Sequence, residues 1–575
     1  MKQIINIKTI LPVVLLLVML SVTGCSEDFL DRTPQDNYTE DNYWASDEAL
    51  RLAVDPLYNR AWFGFHERSM FGLGSMRGND AFNNYFTAEF VRFQTTSLTT
   101  EVAKAWSSLY AVIAMSNAVI DGVLHKCIDS DDLTQAMKDR TLGEAYLWRA
   151  TAYFFGVRIW GPMILSEDNA ELVRNPIRPL NPEEDIFKFI VRDLRRACKL
   201  LPETRDATGR ATVWAAKAQL AKVLLAQSGW DKDKRNDDML AECIKLCEDV
   251  IENSGATLIN YEDLFKYQNN VNDESLLAFR WRVAPTAIWG TQNTLVSDLS
   301  WSDVTDVTSW NNNMCATIDM IELYNLDPLT HDAIRRKATF FIPGEHYDYI
   351  WAAKGGYTYP IGKNVVGDNV GWMQVKKGVV GSKADNDGNL DMMNSPLHTH
   401  IIRFADVLLT HAEACLGNQA ELTGGRGLES FNRVRDRAGV SRKDKITFQD
   451  IMNERRIEFC MEYQTWFELM TWYRWKPEFM MNYFNNVQKR GYNITDGNIR
   501  LNADGSISWS MYGNWSDALN ESVPVWDTLE DFNSSSYIPT VVTPANVFIP
   551  YPEADLLANP LLSKPPVPYV FSEDE

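Results

Sequence analysis

The stretch FRWRVAPTAIWGTQNTLVSDLSWSDVTDVTSWNNN, residues 279–313, sets Trp281, Trp289, Trp301 and Trp310 among Asn, Gln, Ser, Thr and Asp. Flat rings beside amides, hydroxyls and carboxylates are the chemistry of saccharide recognition. The ring stacks on the apolar face of a sugar and the polar groups meet its hydroxyls. Trp281 closes the apolar run LLAFRW and reads as core. Trp289, Trp301 and Trp310 have polar, turn-forming neighbours, so each is either a ligand platform or a pin that fastens its loop to a scaffold. A second patch, SMRGNDAFNNYF, surrounds Tyr85 with Arg77, Asn79, Asp80, Asn83 and Asn84, with Gly78 loosening the loop. It is either ligand surface or a polar turn that satisfies itself. Tyr349 and Trp351, in HYDYIWAAKGGY, add two further rings. The candidate binding set is Arg77, Asn79, Asp80, Tyr85, Trp289, Trp301 and Trp310.

Catalytic and metal-binding constellations are sparse. The chain has 7 histidines. His398 and His400 in LHTH share one face of a strand, but no third ligand is spaced near them, so a metal site is not expected. There is no G-x-S-x-G elbow and no phosphate loop. Carboxylates are plentiful, and counting alone leaves a glycosidase pair open. Glu454, Glu458 and Glu462 recur every four residues on one predicted helix, and with Arg455 and Arg456 beside them they read as structural ion pairs. In ADNDGNLD, Asp385, Asp387, Asn389 and Asp391 alternate as calcium ligands do. An EF-hand loop needs Gly at its sixth position and Glu at its twelfth, where Leu390 and Pro396 stand, so a solvated acidic turn is favoured. No cofactor is expected, and a structural calcium is left open.

The elements that must hold these residues follow from pattern. The chain has 575 residues, 45% hydrophobic and 23% charged, which is globular composition. Its net charge of -21 excludes the basic footprint of a nucleic-acid binder. From Asp47 to about Ile251, apolar residues recur at three- and four-residue spacing with Ala, Gly and Ser among them, so helices approach one another closely. NPEEDIFKFIVRDLRRACKLLPET places Asn181 as N-cap and Pro182 in the first turn of a helix that stops before Pro202. Helices in antiparallel pairs joined by short turns predict a hairpin array. From about Asn260 to Pro396 the helical period fades into loops and short strands. Helices return at HIIRFADVLLTHAEACLG and continue through FELMTWYRW, and the final hundred residues are loop-rich again.

The N-terminus reads as an export signal. Lys2 and Lys8 precede an apolar run from Ile10 to Leu20, shorter than the ~20 residues of a spanning helix. Small residues then lead to Cys25, the order of a bacterial lipoprotein signal. Residues 1–24 would be removed and Cys25 acylated, giving a stable anchor with two or more chains. No further apolar run is long enough to span a membrane. The other cysteines, Cys127, Cys198, Cys243, Cys247, Cys315, Cys415 and Cys460, are scattered and read as small buried apolar residues.

Four stretches taken in order carry a family resemblance: the cysteine followed by SEDFLDRTP; LGEAYLWRATAYFFGVRIWGPMIL; IIRFADVLLTHAEACL with FNRVRDRAG and NERRIEFCMEYQTWFELMTW; and VFIPYPEADLLANPLL. Together they resemble the SusD/RagB family of Bacteroidetes outer-membrane nutrient-binding lipoproteins, across nearly the whole mature chain. The resemblance implies a mainly α fold: tetratricopeptide-like helix pairs with an irregular half laid over them. It implies one domain over 25–575, with the scaffold mainly in 45–260 and 400–475 and the ligand and partner region mainly in 261–399 and 476–575. It also implies a non-catalytic, exterior-facing, lipid-anchored protein that captures oligosaccharide, or in some members peptide, for a SusC-like TonB-dependent transporter. The acidic stretch after Cys25 resembles the family's surface-export signal. A surface glycan hydrolase is the enzymatic alternative. One departure stands out. After Glu462 the family usually has a small residue and then basic ones, where this chain has Tyr463, Thr465 and Thr471.

Overall fold

The computed structural model describes residues 43–571 except 83–87, 207, 284–288, 311–313, 328, 331, 343, 361–372, 488–498, 502–506, 510–511, 516–521 and 525–540. Residues 1–24, read above as an export signal, and Cys25 and Tyr85 therefore lie outside the described residues. The long helices are α1 (Asp47–Val54), α2 (Thr100–Asp121), α3 (Gln135–Trp160), α4 (Glu183–Leu200), α5 (Val213–Gly229), α6 (Asp237–Asn253), α7 (Phe404–Leu416), α8 (Gly425–Ala438), α9 (Phe448–Phe459), α10 (Thr465–Trp475) and α11 (Pro477–Asn486). Each of α2 to α6 packs on the next, α6 packs on α7, and α7 on α8 and α9. This is the mainly α hairpin array that the periodicity predicts.

Local chemistry sets the boundaries. Thr134 caps α3 by accepting from Met137 N–H, and Gly161 at φ 80° ends it before Pro162. Inside α3, Gly143 lets Leu201 approach so closely that a Cβ would lie 2.8 Å from its Cγ. The α4 boundary differs from the sequence reading by one residue. Pro182 is the N-cap, and Asn181 uses its side chain elsewhere, accepting from Leu165 N–H and donating to the Val567 carbonyl. Residues 477–486 form a further helix in a region the sequence assigned to loop, because Pro477 opens a new first turn after the break at Lys476. The segment Thr100–Lys126 is long and apolar enough to cross a membrane by length and composition, contrary to the sequence reading. Of its most apolar 18-residue stretch, 56% is buried inside the protein, as in a core helix.

Strands are few and short. β1 (Ser275–Phe279) and β2 (Thr399–Arg403) pair antiparallel, with Ala278 opposite His400 and Phe279 opposite Thr399. The pair is threaded through the core, where Phe279 stacks on Trp62 at 4.7 Å. Between them, the described residues of 280–398 form loops with short helices such as Ile318–Tyr324 and Ala333–Thr339 and two-residue strands such as His346–Tyr347 paired with Tyr357–Thr358. The seven described cysteines are free thiols. Tyr463, the departure noted above, has φ 65°. A left-handed backbone favours a residue without a branched or bulky Cβ environment and costs an ordinary residue ~1–2 kcal/mol. The close passage of Gly74 beneath the Tyr463 carbonyl accompanies that turn, and the Tyr463 ring packs edge-on against Phe71.

A buried charge cluster joins the two halves. Arg403, at the end of β2, donates to Glu462 (2.8 Å) and Glu458 (3.0 Å) and pairs with Glu274. Glu458 also accepts from Arg335 at 3.1 Å and from Arg437. Glu454 takes Arg335 and Arg435, each at 2.7 Å, and Glu462 takes Lys377 at 3.1 Å. The ion-pair reading of the three glutamates is correct, but α9 ends at Phe459, so Glu462 lies beyond the helix that was to carry all three, and the partners are not the neighbouring arginines. Residues one or two apart face different sides of a helix, so Arg455 reaches Asp406 and Arg456 reaches Asp319. Burial alone would raise the Glu458 carboxyl, but Arg437, Arg403 and Arg335 outweigh it and hold it well below the usual carboxylate range. Removing one partner of a buried cluster leaves uncompensated charge. Glu458→Ala is expected to cost ~3–5 kcal/mol in chemical denaturation. An unchanged denaturation midpoint would contradict this role.

Candidate ligand-binding site

The 289–310 loop is built by its own polar residues. Gly290, at φ 105°, makes the turn after Trp289. Asn293 exchanges backbone hydrogen bonds with Ser395, donates Nδ2 to the Leu397 carbonyl and accepts from Leu295 N–H. A short helix, Leu295–Leu299, follows. The Ser297 carbonyl then accepts from Trp310 N–H at 2.9 Å, and its hydroxyl accepts from Met393 N–H at 2.7 Å. The amide and hydroxyl side chains around the tryptophans thus fix the loop's own backbone.

The four tryptophans separate by burial. Trp281 is core, as read, with its Nε1 donating to Thr399 Oγ1. Trp301 is fully buried and lies edge-on to Phe341 at 5.1 Å. It is the pin of the loop, so its reading as a ligand-binding ring is corrected: a ring with 0% exposure has no face to offer. Trp289 and Trp310 keep 58% and 44% of their surface exposed. The edge of Phe63 supports Trp289 at 5.4 Å. Both rings therefore belong to one loop whose middle is anchored in the core.

Trp351 hydrogen-bonds to this loop from a separate segment. Its Nε1 donates to the Asp303 carbonyl at 2.7 Å, tying it to the same loop. Its backbone, at φ 58°, is held by the Asp385 carboxylate, which accepts from Trp351 N–H and Ala352 N–H as well as from Ser382. Asp385 is thereby committed to four hydrogen bonds within the turn. No cluster of three or more metal-ligating side chains occurs among the described residues. Lys354 Nζ sits 3.2 Å from the centre of the Trp351 ring. Sequence reasoning missed this cation, whose only signal was its position three residues after the ring. Tyr349 has both Lys266 and Lys376 within 4.8 Å of its ring centre.

The SMRGNDAFNNYF patch is interior where it is described. Arg77 is 1% exposed, donates to the Asn546 and Val547 carbonyls, and lies between the rings of Phe93 and Trp466. Asn79 donates to Asp319 at 2.9 Å. Asp80 accepts from Met461 N–H at 2.9 Å, and burial pushes its carboxyl up to about 6. These three are corrected from ligand contacts to structural ties: polar side chains next to a glycine-loosened turn were consistent with either role, and here the 546–547 backbone, Asp319 and the Met461 backbone claim them. His400 has both ring nitrogens engaged, Nδ1 2.9 Å from Ser275 Oγ and Nε2 donating to the Leu264 carbonyl.

The comparisons with known proteins agree with this architecture. The family model described as "SusD family" matches residues 274–567, and the model described as "Starch-binding associating with outer membrane" matches residues 28–225. A SusD-like protein of Bacteroides ovatus is 47% identical over 558 residues, 96% of this chain and 97% of that one. A protein crystallised with xylogluco-oligosaccharide superposes with a TM-score of 0.78 at 45% identity, over 91% of this chain and 100% of that one. A SusD-like carbohydrate binding protein of Bacteroides fragilis, 19% identical, shares the fold with a TM-score of 0.64 over 91% of this chain and 100% of its own. The chain belongs to the SusD/RagB family.

Two predictions separate anchor from exposed ring and test the loop's charge. Trp301→Ala should cost ~3–5 kcal/mol of stability as a core truncation, whereas Trp310→Ala should stay within ~0.5 kcal/mol. Equal denaturation midpoints for the two variants would overturn the assignment. Asp298, on the short helix of the loop, is 5% exposed; burial pushes its carboxyl from 3.8 to about 7, with Arg68 at 3.9 Å offsetting part of the rise. The native state then binds the extra proton, so Asp298's contribution is whole below pH 3.8 and is lost as pH rises to about 7. The melting temperature of Asp298→Asn relative to wild type should therefore climb across that window. A constant difference would contradict it.

Proposed function

We propose that this protein is a non-catalytic glycan-capture lipoprotein, anchored through Cys25 in the outer membrane and facing the exterior, that passes neutral oligosaccharide to a SusC-like TonB-dependent transporter. The observation that carries the reading is the pair of exposed tryptophans, Trp289 and Trp310, on one loop pinned by the buried Trp301. Large rings left open to water on a hydrogen-bonded loop are a prepared stacking surface. Trp351 is a third ring of the same surface once Lys354 swings aside. The ligand class rests on two supports. The 45% identical protein named above was crystallised with xylogluco-oligosaccharide. A chain of net charge -21 favours a neutral glycan over an anionic one. The anchor and the partner rest on the basic, apolar, small-residue, cysteine order of the N-terminus and on the family's description as associating with the outer membrane.

Affinity electrophoresis of the chain lacking residues 1–25, through gels containing xyloglucan or other neutral and anionic polysaccharides, tests the reading. Retardation by xyloglucan without release of reducing ends is expected. Trp289→Ala and Trp310→Ala should each weaken binding about tenfold while leaving the melting curve in place. Unaltered affinity in both variants would reject the platform, and new reducing ends would reject the non-catalytic reading.

A further inference from the structure

The helical scaffold carries a cleft of about 710 Å3, within the ~300–1,000 Å3 range of small-ligand pockets. It is lined by the C-terminal end of α2, the wide turn Gly122–Lys126, α3 and residues 167–170. None of the loop tryptophans reaches it.

Its floor is preorganised. Arg149, 1% exposed, donates Nε and Nη2 to the Asp193 carboxylate at 2.7 and 2.9 Å, and Nη1 to Asn117 Oδ1 at 2.8 Å. Asn117 Nδ2 in turn donates to the Ser166 carbonyl and to Asn169 Oδ1. Asn169 Nδ2 donates to the Ala114 carbonyl at 2.7 Å. Two aromatic rings border this floor. Trp44 lies so close on Gly122 that a Cβ there would come within 2.1 Å of its Cζ2, which leaves the half-buried ring fixed against α2. Tyr146 is held under the Arg196 guanidinium, 5.2 Å from its ring centre.

The charges of the walls are matched among themselves. Lys126 pairs with Asp121 at 3.3 Å and Arg192 with Glu167 at 2.6 Å. Arg196 lies 4.0 Å from Asp193. Asp168 faces Arg174 at 3.6 Å and caps its own short helix by accepting from Ala170 and Glu171 N–H. A cleft whose ions are already paired gives a charged ligand no unbalanced partner, and burying such a ligand would carry a desolvation cost. What it offers is the accessible edges of Asp121, Lys126, Glu167, Asp168 and Arg196 over that fixed floor, with two rings beside them, which suits an uncharged polyol.

We infer that this cleft is a second saccharide site that takes a short, neutral oligosaccharide independently of the loop tryptophans. It stands on the cleft's own geometry and does not depend on the platform.

Hydrogen–deuterium exchange of the whole mature chain, with cellotetraose or a xylogluco-oligosaccharide at millimolar concentration, tests it. Slowed exchange in residues 117–126 and 166–170 is expected both in wild type and in the Trp289→Ala/Trp310→Ala double variant. Leu124 lines the cleft and is 53% exposed, so Leu124→Trp should put a bulky ring into the ligand's space without touching the core. That variant should keep the wild-type melting temperature and lower affinity at this site at least about tenfold. Arg196→Ala should weaken the same protection. Unchanged exchange in these segments at saturating ligand, or slowing that survives Leu124→Trp, would overturn the inference. Failure of the platform would leave this protection intact, and failure of the cleft would leave xyloglucan retardation intact.

Discussion

The Arg403 guanidinium is the point on which both halves of the molecule converge. It ends strand β2, and its carboxylate partners arrive from the residue before β1 (Glu274), from α9 (Glu458) and from just beyond it (Glu462). Arg335 and Lys377 reach the same carboxylates from the irregular region, and Arg437 reaches them from α8. Among the described residues the 280–398 loops carry only short local pairings, such as His346–Tyr347 with Tyr357–Thr358, so their placement on the scaffold depends on such ties. Buried ion pairs add little net stability relative to well-packed apolar residues, but leaving one of them unpartnered is costly. Their effect here is to make one arrangement of loops on scaffold strongly preferred over its neighbours.

From that constraint the exposed surface follows. Trp301 is inserted among Phe341 and Tyr359, and Asn293 joins the loop to the 395–397 segment beside β2. With its middle buried, the loop holds Trp289 and Trp310 out toward solvent at little further conformational cost. A ligand that stacks on them meets rings carried on a pinned loop, which spares part of the entropy of arranging that loop at the moment of binding. Trp351 is fastened to the same loop through Asp303, but its face is shared with Lys354, so contact there requires the ammonium to leave.

Much of this was legible in the sequence, and the misses have a common cause. The helical scaffold was readable because three- and four-residue periodicity is a local property of the chain. The glutamate triad was readable as structural for the same reason, while its partners were not: Arg335, Arg403 and Arg437 lie far away in sequence and meet only in the fold. Trp301 and Trp310 have nearly indistinguishable neighbourhoods of Ser, Thr and Asp, and only tertiary packing decides which ring is buried. Arg77, Asn79 and Asp80 look like an exposed polar turn until the 546–547 backbone, Asp319 and Met461 close over them. The cleft beside α2 carried no sequence signal, since Trp44, Asn117, Arg149 and Arg196 come from separate elements.

The most direct test of the central claim is a crystal structure of the chain lacking residues 1–25 with a bound xylogluco-oligosaccharide. The account predicts sugar rings stacked on Trp289 and Trp310, with the loop backbone between them unmoved and Trp301 still buried. Oligosaccharide held elsewhere on the loop-rich half, with both exposed rings free of it, would contradict the account.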